Sequence, residues 1–211
     1  MIVLITALGA VCGTLTALVT ERLPQWKLLP TDQYDEPVQG VVIPLYAVML
    51  AGAASFGLLF TAYGLTAQFA LLAGLFMFFL LITLIDLRYR LVLNLMIYPA
   101  LLLTLTAHVL LGHPILFVLV GGGFALTIFM GAAFISPGGL GMGDVKLALL
   151  IGLMLGFPGV LWALIVGVGM GGVLAVGLLL RHRSRSITFP YAPCLCLGAM
   201  IALVFNPFLT L

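Results

Sequence analysis

The sequence predicts an all-α, polytopic membrane protein with about eight transmembrane helices and both termini on the non-cytoplasmic side. Three observations lead there. Of 211 residues, 64% are hydrophobic and 7% charged, against roughly 25% charged in an average soluble domain, so the chain cannot clothe a water-facing surface. Apolar residues run on in long unbroken stretches, whereas a helix needs roughly 20 such residues to cross a bilayer and a membrane β-barrel would show alternation. All 8 Lys and Arg fall in alternate loops between these stretches. Composition excludes a disordered chain, whose bias is the opposite. A net charge of +2 without a basic stripe argues against a nucleic-acid partner.

Breaks at charges, Pro and Gly delimit segments 1–20, 41–60, 67–85, 94–111, 114–135, 145–157, 158–180 and 191–209. The first has no basic region before its apolar run and reads as a retained span, not a cleavable signal. The second to fifth and the seventh and eighth are near spanning length. The sixth is short: 145–157 makes roughly 20 Å of helix before the turn signal Gly156-Phe157-Pro158-Gly159. It is either a re-entrant half-helix or a span that starts below the membrane surface.

The charges favour a span. With eight crossings, Arg22 and Lys27 lie in loop one, Arg88 and Arg90 in loop three, Lys146 at the end of loop five, and Arg181, Arg183 and Arg185 in loop seven. The positive-inside rule then makes the odd loops cytoplasmic. A re-entrant sixth segment would export the last three arginines. The chain 1–211 thus reads as one transmembrane domain, with 21–40 as its first cytoplasmic loop. Glycines four apart, Gly9 and Gly13, Gly167 and Gly171, suit close helix packing. Cys12, Cys194 and Cys196 form no CxxC pair and read as small apolar residues.

The acids are more informative. Glu21, Asp32, Asp35 and Glu36 lie in loop one, while Asp86 ends the third segment and Asp144 opens the sixth. An ionisable group at membrane depth is costly and points to function by default. The residues themselves admit three readings. Asp86 and Asp144 form a carboxyl pair that shares a proton, one activating water and the other polarising a carbonyl. They are interface charges, Asp86 paired with Arg88 or Arg90 and Asp144 an N-cap. Or they serve an ion- or proton-coupled transporter. The glycine-rich run Ser136-Pro137-Gly138-Gly139-Leu140-Gly141-Met142-Gly143 favours the first, because irregular backbone at membrane depth belongs in a protein-lined or watery cavity and Gly lets another backbone approach. It is not a phosphate-binding GxxxxGK[ST] loop. His108, His113 and His182 share no metal-ligand spacing, and neither a metal nor a cofactor is expected.

Gly141-Met142-Gly143-Asp144-Val145-Lys146 resembles the GxGDxK motif of bacterial type IV prepilin peptidases, within the GxGD class of intramembrane aspartic proteases. Asp86 in Leu84-Ile85-Asp86 resembles that family's first catalytic Asp. Gly13-Thr14-Leu15 through Arg22-Leu23-Pro24, the apolar run Lys146 to Gly152, and Pro190-Tyr191-Ala192-Pro193 through Gly198 resemble three further family stretches. The resemblance implies catalytic Asp86 and Asp144; Gly141 and Gly143 would let the scissile strand approach, and Lys146, two positions after Asp144 and so not facing it on a regular helix, reads as an anchor or substrate contact. It also implies cleavage of a short basic leader from prepilin or pseudopilin precursors at the cytoplasmic face of a bacterial inner membrane. Leu93 and Asn94 stand where the family commonly has Pro and Asp, and Tyr191-Ala192-Pro193 where Phe-Gly-Pro is usual. Larger members carry two CxxC pairs in loop one, bound to zinc and linked to N-methylation. This loop has no cysteine, which removes the support for both.

Loop one has two bases against four acids, three of the acids being Asp32, Asp35 and Glu36. It is either a plain solvated acidic loop or a surface that steers a basic leader, with an attraction that fades as salt rises. Reversing those three charges is expected to slow cleavage most for the leaders richest in Lys and Arg. Rates measured over a leader series check this, and an equal loss for every leader, or none, counts against steering.

Overall fold

The computed structural model describes residues 1–22, 43–135, 140–182 and 190–205. Among them are eight α-helices and no strand: α1 (Ile2–Arg22), α2 (Leu45–Tyr63), α3 (Ala67–Tyr89), α4 (Asn94–Leu110), α5 (Ile115–Ile135), α6 (Met142–Leu155), α7 (Gly159–His182) and α8 (Ala192–Phe205). Each answers to one of the eight apolar segments. Five of them, α1, α2, α3, α5 and α7, are long and apolar enough to cross a membrane. Side chains such as Leu4, Leu15, Leu50, Leu102, Leu116 and Ile165 are exposed, as lipid-facing residues of spanning helices would be.

The chain divides into two compact units, Met1–Leu91 and Val92–Thr210. In the first, α1, α2 and α3 pack on one another. Lipid tails are as apolar as Leu, so helices in a bilayer gain little by burying Leu against Leu; small residues that let backbones approach supply the packing instead. A Cβ on Gly13 would lie 2.6 Å from the Val48 carbonyl oxygen, and one on Gly9 would strike the Gly52 carbonyl. The expected packing role of Gly9 and Gly13 is therefore met by Gly52 of α2. Helix α3 begins where the Thr66 hydroxyl accepts from the Phe69 N–H at 3.2 Å, a standard N-cap. It ends at Arg90, whose φ of 51° takes the chain out of the helix.

In the second unit α6 packs against α4, α5, α7 and α8. Leu147, Ala148, Leu150 and Ile151 are wholly buried. This explains how a helix of 14 residues fits: other helices surround it, and lipid does not need to be spanned along its whole flank. Glycines again set the contact. A Cβ on Gly152 would sit 2.5 Å from the Gly121 carbonyl oxygen and 2.9 Å from the Gly122 Cα. The helix stops at Gly156, φ 62°, and the next residue, Phe157, donates its N–H to the Phe117 carbonyl at 2.8 Å. On α7, Gly171 receives the Tyr191 ring: a Cβ there would lie 2.5 Å from Tyr191 Cε2. Tyr191 also meets Phe129 of α5 at 5.9 Å between centroids. The expected Gly167–Gly171 pair thus serves α8 and its leading residue.

Gly152→Val should lower the thermal unfolding midpoint in detergent micelles by the equivalent of at least about 1–3 kcal/mol, the usual cost of overpacking. Gly123→Ala, where an added Cβ meets no atom within 4 Å, should leave the midpoint within error of the wild type.

Candidate active site

Asp86 lies in the last turn of α3. It is 5% exposed, and with Thr20 it is one of few buried polar side chains among the described residues. Its carbonyl accepts the Arg90 N–H at 2.8 Å. The same turn is tied to the end of α1 twice. The buried Tyr89 donates its hydroxyl to the Thr20 carbonyl at 3.2 Å, and Arg88 meets Glu21 at 3.3 Å. The first contact is worth about 1 kcal/mol; the second is a surface ion pair worth about 0–1 kcal/mol. Thr20 turns its own hydroxyl back to the Thr16 carbonyl at 2.9 Å.

Asp144 lies in the first turn of α6 and is half-buried. The N-cap is Gly141 and carries no side-chain cap. Asp144 is therefore the third helical residue and not the N-cap that the interface-charge reading makes it. From that position its Oδ2 lies beside Gly141, on the side from which the third residue of a capping box turns toward the N-cap. Its own N–H bonds the Gly141 carbonyl at 3.0 Å.

The two supporting glycines differ. A Cβ on Gly141 would stand 3.4 Å from Asp144 Oδ2, an ordinary contact, whereas one on Gly143 would stand 2.8 Å from the Val92 Cβ. Gly143 is thus required by the approach of the chain leading into α4. Lys146 points its ammonium to the same helix, donating to Asn94 Oδ1 at 2.8 Å and to the Tyr98 hydroxyl at 3.0 Å. Sequence reasoning does not single out Tyr98 or Thr20. The available signal for Tyr98 is its spacing of four from Asn94, which places both on one face of α4.

Asp32, Asp35, Glu36 and residues 136–139 lie outside the described residues. His108 and His113 meet edge to face, centroids 5.3 Å apart. Among the described residues, no group of three or more His, Cys, Asp or Glu is placed to hold a metal ion.

Eight apolar helices among the described residues, five of them of spanning length, with one carboxyl at the end of α3 and another at the start of α6, define a polytopic membrane protein. Residues 73–176 match the model of the type IV leader peptidase family, which supports assignment of the chain to that family of peptidases. The match takes in Asp86, Asn94, Asp144 and Lys146. No curated protein and no solved structure matches the chain.

Replacing Gly143 by Ala should destabilise the second unit by about 1–3 kcal/mol through its clash with Val92. Adding Val92→Gly, which removes the opposing Cβ, should recover part of that loss in the same melting assay.

Proposed function

We propose that this protein is an intramembrane aspartic endopeptidase that removes the short basic leader of prepilin or pseudopilin precursors. What carries the reading is the family match, which runs unbroken across both Asp86 and Asp144. Burial of Asp86 at the end of an apolar helix supports it, since a carboxyl there is costly unless it is used.

In this reading Asp86 and Asp144 share one proton and titrate as a unit. The ionised carboxyl takes a proton from water, and the oxygen attacks the scissile carbonyl carbon. The protonated carboxyl donates to the carbonyl oxygen as charge builds there. Collapse of the tetrahedral intermediate breaks the C–N bond, and the proton taken from water passes to the leaving amine. The reaction uses no metal and no covalent nucleophile. The distribution of Lys and Arg supports cleavage at the cytoplasmic face of a bacterial inner membrane. Glycine at 141, where an added Cβ would meet only ordinary contacts, suits a substrate strand lying close to the backbone; Gly143 is taken up by its contact with Val92. The matched residues do not reach loop one, and its lack of cysteine supports peptidase activity without N-methylation.

The test is cleavage of a prepilin-like precursor by protein reconstituted in lipid vesicles. Asp86→Asn and Asp144→Asn should each lower kcat by about 10²–10⁴-fold, the usual contribution of a positioned general acid or base. Full-rate cleavage by either variant, or ion flux through wild-type vesicles that cleave nothing, overturns the reading.

A further inference from the structure

Helix α6 begins under poor local conditions. Its N-cap, Gly141, offers no side chain to the open N–H groups, and a side-chain cap is commonly worth about 1 kcal/mol. Gly143 follows in the first turn, and glycine loses more conformational freedom on ordering than any other residue. A helix end of this kind frays. Yet this turn holds Asp144, and a carboxyl in catalysis must keep its place to a fraction of an ångström. Something outside the turn has to hold it.

The neighbouring helix supplies the brace. Asn94 and Tyr98 occupy the first and second turns of α4 at a spacing of four, so both face the same way. The Lys146 ammonium bonds both at once, Nζ to Asn94 Oδ1 at 2.8 Å and Nζ to the Tyr98 hydroxyl at 3.0 Å. Three residues earlier Gly143 lies against Val92 so closely that a Cβ would not fit. These contacts bracket Asp144 in sequence, one before it and one after. A Lys is suited to the task because its long stem crosses to α4 while its three N–H donors can serve any two oxygens within reach. Both acceptors are neutral, so the bond is charge-assisted without placing a second carboxylate beside Asp144.

We propose that Lys146 is a positioning residue, which through Asn94 and Tyr98 of α4 fixes the first turn of α6 and with it Asp144. This rests on the reading of Asp144 as a catalytic acid, but its first test does not. Hydrogen exchange in detergent micelles should show the amides of Asp144 and Val145, bonded to the Gly141 carbonyl at 3.0 and 3.4 Å, exchanging about three- to tenfold faster in Lys146→Met, the range for loss of one to two modest hydrogen bonds. Asn94→Ala should speed them in the same way, and the double variant Lys146→Met, Asn94→Ala no more than Lys146→Met alone, because the two act through each other. Lys146→Arg and Asn94→Asp, which keep a donor and an acceptor, should restore slow exchange. The second test is precursor cleavage, where Lys146→Met should lower kcat with KM little changed and Lys146→Arg should recover most of it. Unchanged exchange in Lys146→Met, or additive effects in the double variant, overturns the proposal. Wild-type protein that brakes exchange as described but cleaves no precursor overturns the proposed function and leaves the brace standing. A rise in KM alone makes Lys146 a substrate contact and also overturns the positioning role.

Discussion

The approach of α5 and α6 at Gly121, Gly122 and Gly152 is the constraint on which the second unit depends. In water, two helices are driven together by burying apolar surface, and any large side chains will serve. In lipid that drive is largely absent, and contact must come from close backbone packing. Where Gly152 meets the Gly121 carbonyl there is no room for one methyl group. This closeness draws α6 into the middle of α4, α5, α7 and α8. Enclosure in turn relieves α6 of the length that a lipid-facing helix must have, and a 14-residue helix suffices.

The same device recurs in the first unit, where Gly9, Gly13 and Gly52 join α1 to α2. Its polar contacts are placed differently. They gather at the last turns of α1 and α3, where Tyr89 reaches the Thr20 carbonyl and Arg88 reaches Glu21. In the second unit they gather at the first turns of α4 and α6, where Lys146 reaches Asn94 and Tyr98. In both units the polar bonds stand beside the aspartate that ends or opens an apolar helix. Apolar packing cannot orient a carboxyl; directional bonds to a neighbouring helix can.

The eight helices were legible because hydrophobic length is a strong signal and the breaks at Gly64, Gly112 and Gly156 are chemical ones. So were Asp86 and Asp144, since a charge at the end of an apolar run stands out against 7% charged residues. The cap of α6 was less legible. A carboxylate after a glycine run can be read as N-cap or as third helical residue, and three residues of register separate the two. Which position Asp144 takes depends on where the helix starts, and Val92 pressing on Gly143 bears on that start.

By itself the sequence determined what each segment must avoid: water for the apolar runs, and lipid for the fourteen charges, all of which lie at or beyond the ends of those runs. Those preferences are properties of single residues and survive any rearrangement of the helices. Tertiary structure alone decided which glycine faces which carbonyl, that α6 is enclosed, and that Lys146 bonds Asn94 and Tyr98 across 52 and 48 positions of chain. The reason is physical. Lipid imposes the same solvent on every face of a helix, so an apolar helix shows little difference between its sides, and only the packed neighbour tells one side from another.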